Sequence, residues 1–172
     1  MVYPSASSVW MSSNAFLLAG SSRMVPVPAA GYPRIVPDIV LASDEEWVRD
    51  EIRSVVSSVP DATLREVTSG AAVLPSVAQA LPHLVVVDMQ IGSMGGMAVC
   101  LDLRLEESGG RIGHVPVLML LDRRADVFLA RRAGAEGWIV KPLDPIRLRK
   151  AVRALLAGGT YHDESYKPEP VG

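Results

Sequence analysis

Three polar residues that follow predicted strands have the types and positions to do chemistry together. Asp44 comes after one short apolar run, Asp88 ends a second, and Lys141 ends a third. Short apolar runs bounded by loop residues are typical of strands buried on both faces of a parallel sheet. The carboxyl ends of such strands meet at one edge of the sheet, where ligands gather. The spacing therefore predicts one site that holds two carboxylates and one amine.

The chemistry expected of this set involves a divalent cation and a phosphoryl group. Two neighbouring carboxylates without a partner repel each other, and each raises the pKa of the other. A hard cation such as Mg²⁺ relieves that repulsion and prefers oxygen ligands. A lysine that arrives from the far side brings a long stem and a point charge, which suit a phosphoryl oxygen.

The elements that must position these residues alternate between strand and helix. The predicted strands cover residues 38–43, 63–67, 84–88, 115–121 and 137–140, and the later predicted helices cover 70–80, 97–107, 122–133 and 145–157. A first helix carries an apolar stripe from Trp47 to Val56. This alternation predicts an α/β fold with a doubly wound, five-stranded parallel sheet, strand order 2-1-3-4-5, and helices on both faces.

The composition limits the classes of function. The chain has 172 residues, with 17 Lys and Arg against 19 Asp and Glu, so it has no general attraction to nucleic acid or membranes. Cys100 is the only cysteine, which excludes an intrachain disulfide, and we expect it in the core. No apolar run reaches membrane-spanning length. We therefore expect a cytoplasmic protein with neither nucleic acid nor membrane as a partner.

The two ends of the chain differ from its middle. Residues 1–37 are rich in Ser, Pro and Ala, and their only charged side chains are Arg23 and Arg34. We expect them to form a disordered arm or to lie upstream of the true start codon. Residues 38–158 form the predicted domain. The polar segment 159–172, with two prolines, is predicted to be a disordered tail.

Several segments resemble the receiver domains of two-component response regulators, and the resemblance extends over about residues 38–157. The most specific segment is 133–142, Ala-Gly-Ala-Glu-Gly-Trp-Ile-Val-Lys-Pro, and the others are 39–45, 84–88, 94–96 and 115–120. The resemblance implies the flavodoxin-like fold of that family. It also implies a signalling module and not an enzyme, with at most self-phosphorylation from a phosphodonor and autodephosphorylation at one aspartate.

The resemblance implies a role for each matching residue of the site. Asp88 would be the phospho-acceptor, a carboxylate nucleophile that forms an acyl phosphate, and Lys141 would contact the phosphoryl group. Asp44, Asp88 and the backbone carbonyl of Gln90 would bind Mg²⁺. Ser43 stands where the first acid of the family's pair is usual, so the hydroxyl would act only weakly, through a metal-bound water.

Three other positions bear on the family's switch. Leu121 stands where the family has a Thr or Ser that bonds the phosphoryl group, so the usual switch cannot operate. Trp138 stands at the position of the switch aromatic, and with Leu121 present we expect it to be a half-exposed packing residue on an edge strand. Asp122 would oppose phosphorylation by about 1 kcal/mol if it points inward.

Two hypotheses for function remain open. In the first, the chain is an atypical single-domain receiver that acts through protein contacts, and Asp88 accepts phosphate from a histidine kinase or phosphotransfer protein. In the second, it is a phosphorylation-independent pseudo-receiver, a dimerisation or interaction module in which Lys141 only pairs with Asp88. Under both, we expect no DNA-binding domain after the last helix, and a partner or second copy would contact the last two helices and strand five.

Overall fold

Alternating strands and helices build the part of the chain that the computed structural model describes, residues 36–165. The expectations for residues 1–35 and for 166–172 lie outside the described residues. The strands are β1 (Asp38–Ala42), β2 (Thr63–Val67), β3 (Leu84–Asp88), β4 (Val117–Leu121), β5 (Gly137–Val140) and β6 (Tyr161–His162). The helices are α1 (Glu46–Val56), α2 (Val73–Gln79), α3 (Gly96–Ser108), α4 (Val127–Arg132) and α5 (Pro145–Leu156). Short 3₁₀ turns precede α2 and α4.

The strands form one parallel sheet in the order β2-β1-β3-β4-β5-β6. The predicted order of the first five strands is confirmed, and β6 is an addition. In this order β1 and β3 are neighbours, with Ala42 paired to Val87. The residues that follow this pair, Ser43 and Asp88, therefore meet at the carboxyl edge of the sheet.

Both faces of the sheet are covered, as the continuous apolar runs predict. Every residue of β3 and β4 is buried, and successive side chains point to opposite faces. One apolar cluster, which includes Val87 and Met119, packs against α2, α3 and α4. The other, which includes Val86 and Leu120, packs against α1 and α5. Cys100 lies in the first cluster as predicted, and its burial raises the pKa of its thiol to about 11.

Strand β6 corrects the prediction of a disordered tail from residue 159. The amide of Tyr161 donates to the carbonyl of Glu136 at 3.1 Å, and that of Asp163 to the carbonyl of Trp138 at 3.1 Å. The Asp163 carboxylate accepts from the Val140 amide at 3.1 Å and from the Arg147 guanidinium at 2.6 Å. A polar tail was expected to prefer water, but carbonyls at the edge of the sheet accept from its backbone amides, and the Val140 amide and the Arg147 guanidinium donate to its buried carboxylate.

Asp163 is a buried charge, 3% exposed. Although burial opposes its ionised form, hydrogen bonds from Ser165 and the Val140 amide, with the charge of Arg147, hold the pKa of this carboxyl below its usual value. The ionised form is therefore the one that fits this position.

The same strand corrects the expectation for Trp138. Because β6 covers β5, Trp138 does not lie on an edge strand, and it is only 2% exposed. Its ring stacks on that of His162, with 4.0 Å between centroids and an interplanar angle of 7°. The guanidinium carbon of Arg131 lies 5.2 Å from its ring centroid. His162 is thus an exposed residue of β6 whose ring packs on Trp138.

The loop between β3 and α3 is held by close backbone contacts at two glycines. The amide of Gly70 donates to the carbonyl of Gly92 at 3.1 Å, and a Cβ at Gly70 would lie 1.9 Å from the carbonyl oxygen of Met94. A Cβ at Gly96 would lie 2.6 Å from the backbone oxygen of Asp88. The backbone after Asp88 therefore packs so closely that a side chain at Gly70 or Gly96 would overlap it.

A substitution of Gly70 tests this constraint. We expect Gly70→Ala to lower the free energy of unfolding by about 1–3 kcal/mol, because the added methyl overlaps a backbone carbonyl. Gly95→Ala is the matched control, since a Cβ there would lie 3.6 Å from the Met89 oxygen, an ordinary contact. Urea unfolding of both variants measures the difference. Equal effects at the two positions would show that the loop moves freely.

Candidate functional site

Asp88 is the buried centre of the site at the carboxyl edge of the sheet. Its Oδ1 accepts from Lys141 Nζ at 2.9 Å and from the Gln90 amide at 3.1 Å. Its Oδ2 accepts from Lys141 Nζ at 3.0 Å and from the Ser43 hydroxyl at 3.3 Å. A carboxylate offers about four lone-pair positions. Protein donors therefore satisfy this carboxylate on all sides.

Lys141 bridges two carboxylates. Besides Asp88, its Nζ donates to Oδ1 of Asp122 at 2.9 Å, so Asp122 does point into the site. Burial opposes the charge of the amine, but hydrogen bonds to Asp122 and Asp88 hold the pKa of Lys141 above its usual value. Nζ also lies 5.5 Å from the centroid of the Trp47 ring, a cation–π distance. Lys141 is therefore charged and held from three directions.

Asp44 and Ser43 are positioned by the turn after β1. The Ser43 hydroxyl accepts from the Glu45 amide at 3.2 Å while it donates to Asp88. Asp44 is exposed, and its Oδ2 accepts from the amide of Gly92 at 3.2 Å. The carboxylate thus contacts the same loop that carries Gln90. The structure brings this acid to the rim of the site, as its position after a strand predicts.

Leu121 and Trp138 belong to the core and not to the acidic site. Leu121 is fully buried and shares an apolar cluster with Trp138. Its backbone adjoins the site, since its carbonyl accepts from the Lys141 amide at 2.8 Å. Trp138 pairs with Met119, two residues before Leu121 along β4. Both side chains at the switch positions are therefore fixed by packing.

Two contacts of this region have no signal in the sequence. Trp47 was assigned only to the apolar stripe of α1, yet it is 47% exposed and lies beside Lys141. Asp163 was assigned to a disordered tail, yet it supports Val140, the residue before Lys141. Neither residue belongs to a motif, because each contact depends on where the fold brings a distant segment.

The oxygens of the site fit a hydrated cation with few protein ligands. Mg²⁺ usually keeps several waters and binds one or two carboxylates, which Asp44 and Asp88 would supply, and the Gln90 carbonyl would add a third oxygen. Among the described residues, no group of three His, Cys, Asp or Glu side chains is placed to hold a metal ion. The Ser43 hydroxyl donates a hydrogen bond to Asp88. A cation would therefore have to displace a protein donor from Asp88.

The fold and the site define a signalling class of protein, the receivers of two-component systems. The family model for the response regulator receiver domain matches residues 39–153, more than half of the chain. The chain therefore belongs to the response regulator receiver family. Such domains are generally not enzymes, and they typically bind Mg²⁺ at their acidic pocket.

Particular relatives agree with this assignment. The nitrate/nitrite response regulator protein NarL of Escherichia coli K12 is 28% identical over 76% of this chain and 59% of NarL. The DNA-binding response regulator MtrA of Mycobacterium tuberculosis H37Rv is 29% identical over 68% of this chain and 50% of MtrA. The chemotaxis response regulator CheY4 of Vibrio cholerae shares the fold, with a TM-score of 0.63, 19% identity, and coverage of 70% of this chain and 99% of CheY4.

The chain spans only about half to three fifths of the length of these curated relatives. MtrA is described as DNA-binding, so the relatives give no support to the expectation that nucleic acid is not a partner. In residues 36–165, no helix is both long and apolar enough to span a bilayer.

A double-mutant cycle tests the pairing at the centre of the site. We expect Lys141→Met to lower the free energy of unfolding by about 1–3 kcal/mol, because it leaves a buried carboxylate without its cation. Asp88→Asn in that background should recover at least about 1 kcal/mol of the loss. Urea unfolding measures each corner of the cycle.

The control for this cycle is Lys150→Met, the same change at an exposed residue of α5, with an expected effect below about 0.5 kcal/mol. If Asp88→Asn instead added to the loss, the two side chains would not be energetically coupled.

Proposed function

We propose that this chain is an atypical receiver module of two-component signal transduction, in which Asp88 accepts a phosphoryl group and protein contacts carry the signal onward. The observation that carries the proposal is the bidentate contact of Lys141 with the buried Asp88 carboxylate, at 2.9 and 3.0 Å. Phosphoryl transfer needs a nucleophile in position and a nearby cation that can stabilise the negative charge of the transferring group. Asp88 and Lys141 supply these two groups. The proposed donor is a histidine kinase or phosphotransfer protein in the cytoplasm.

The transfer uses the side chains already in contact. One oxygen of Asp88 attacks the phosphorus of a phosphohistidine, the P–N bond breaks, and its electron pair stays on the imidazole. The product is an acyl phosphate on Asp88. Lys141 then gives up contact with the attacking Asp88 oxygen and pairs with a phosphoryl oxygen. The Gln90 amide and the Ser43 hydroxyl keep the carboxyl group oriented.

A bound Mg²⁺, held by Asp44, Asp88 and the Gln90 carbonyl, would offset negative charge on the transferring group. The rest of the electrostatics opposes transfer. Asp122 shares Lys141 with Asp88 and adds a negative charge to the place that the phosphoryl group must occupy. Ser43 provides a proton donor where a second carboxylate would bind a cation. We therefore propose slow phosphorylation at a weak metal site.

The first test is the intact mass of the full chain after incubation with acetyl phosphate and Mg²⁺. We expect one phosphoryl group per chain, because only Asp88 combines burial with a lysine partner among the described carboxylates of this site. Asp88→Asn is the control and should carry none. A folded wild type without an adduct at long incubation would contradict Asp88 as an acceptor.

A second candidate function is a phosphorylation-independent interaction module. Leu121 favours it, because a fully buried leucine at the switch position has no hydroxyl to bond a phosphoryl group. Asp122 also favours it, because it gives Lys141 an ion pair that competes with any incoming phosphoryl group. Under this candidate the Lys141–Asp88 pair is purely structural, and Asp88→Asn leaves partner binding unchanged. Partner capture with the wild-type chain and with Asp88→Asn as baits distinguishes the two candidate functions.

The role of Asp122 can be tested separately. Its side chain is one-third exposed, so its screened repulsion of the phosphoryl group is about 1 kcal/mol. We expect Asp122→Asn to accelerate adduct formation about fivefold, the rate equivalent of that energy. The control is Asp50→Asn on α1, where the carboxylate pairs with Arg53. Equal rates for Asp122→Asn and wild type would show that Asp122 does not hinder transfer.

A further inference from the structure

The outer edge of β5 is covered by a segment of the same chain, Tyr161–Ser165, which we call the β6 segment. Two of its amides, those of Tyr161 and Asp163, donate to backbone carbonyls at or next to β5, each at 3.1 Å. The Asp163 carboxylate returns the contact by accepting from the Val140 amide at 3.1 Å. The backbone of β5 is thus satisfied on its outer side by a parallel strand.

Side chains of the β6 segment recognise their place on β5 as a peptide ligand would. The His162 ring stacks on Trp138, which is only 2% exposed. The next residue, Asp163, places its carboxylate 2.6 Å from the Arg147 guanidinium, and the Ser165 hydroxyl lies 2.8 Å from the same group. Strand addition of this kind takes its affinity from backbone pairing and its specificity from side-chain pockets.

The β6 segment is joined to α5 by an exposed linker, Ala157–Thr160. Gly158 has a φ of +76°, and its amide and that of Gly159 close the end of α5 by donating to Leu155 and Ala154. β6 itself is two residues long, far shorter than an ordinary strand. Two backbone amides and a small set of side-chain contacts hold this segment, so it should open more readily than the longer strands of the sheet.

Opening removes the partners that the β6 segment supplies to three features: the backbone groups along the edge of β5, one face of Trp138, and the Arg147 guanidinium of α5. We propose that this edge is a strand-docking site and that its occupant in trans is the β6 segment of a second copy of this chain. If two copies exchange their β6 segments, each segment makes the same contacts on the other copy that it makes in the closed monomer. The dimer therefore needs no additional contacts. In the β6 segment, His162 is followed by Asp163, and these two side chains contact Trp138 and Arg147 respectively.

This inference specifies the protein contacts proposed above and depends on that proposal only for its signalling role. It also changes the expected dimer through strand five, because that strand can pair with another copy only after its own β6 segment has left. The short linker gives the closed form an effective concentration of about 1 mM. Wild-type protein should therefore be monomeric at low micromolar concentration.

The test uses the full chain with Gly158 and Gly159 deleted, so that the β6 segment cannot reach β5 of its own chain. We expect a shift from monomer to dimer at low micromolar concentration, measured by light scattering after size exclusion. Adding Asp163→Ala should return this variant to monomer, because the exchanged segment loses its contacts with Arg147 and Val140. Thr160→Ala in the same background is the matched control and should leave the dimer intact.

A folded deletion variant that stays monomeric would overturn the inference, and so would a dimer that Asp163→Ala leaves unchanged. If the deletion variant does not fold, the site is tested in the full chain carrying Asp163→Ala alone. A labelled peptide with the sequence of residues 160–165 should bind this variant at least tenfold more tightly than wild type, and absence of binding to both would overturn the inference. Asp88→Asn should change none of these results, so failure here is distinguishable from failure of the phosphorylation proposal.

Discussion

The site depends on one electrostatic constraint: a carboxylate buried at the end of β3 must have its charge met by the protein. Asp88 is fully buried, and a lone ionised carboxylate in that position would carry a large desolvation cost. Lys141 meets it from the end of β5, two strands away, with the Ser43 hydroxyl and the Gln90 amide filling the remaining positions. The parallel order of the sheet is what brings these four groups to one point.

The same constraint affects how a further charged group, such as a phosphoryl group or a cation, could bind at the site. Lys141 is shared between Asp88 and Asp122, so one amine answers two carboxylates, while Asp44 stands at the rim with a backbone amide as its partner. An arriving phosphoryl group competes with Asp122 for the amine, and an arriving cation competes with the amine for Asp88. In the proposed phosphoryl transfer, the same contacts that stabilise the resting site would therefore raise the barrier.

The sequence predicts the parts of this structure that follow from regular patterns. Apolar runs, helical stripes and strand-end residues suffice for the order of five strands and for the positions of Asp44, Asp88 and Lys141. The burial of Trp138 and the place of Asp163 could not be predicted in the same way. A two-residue strand has no periodicity, and a polar segment of that length has the composition of a tail. The inward direction of Asp122 also depends on a side-chain contact that spacing alone cannot fix.

The cover over β5 has a consequence for the behaviour of the protein in a crowded solution. An exposed, flat, apolar strand edge is a template on which other chains can aggregate. Here the apolar strand β5 is paired along its length, and the sheet ends instead in two residues, a tyrosine and a histidine, beyond which the chain turns polar. So short an edge offers few groups for an unrelated strand to copy. The β6 segment thus keeps this edge from pairing with other chains, and its loss would expose the apolar strand β5 as such a template.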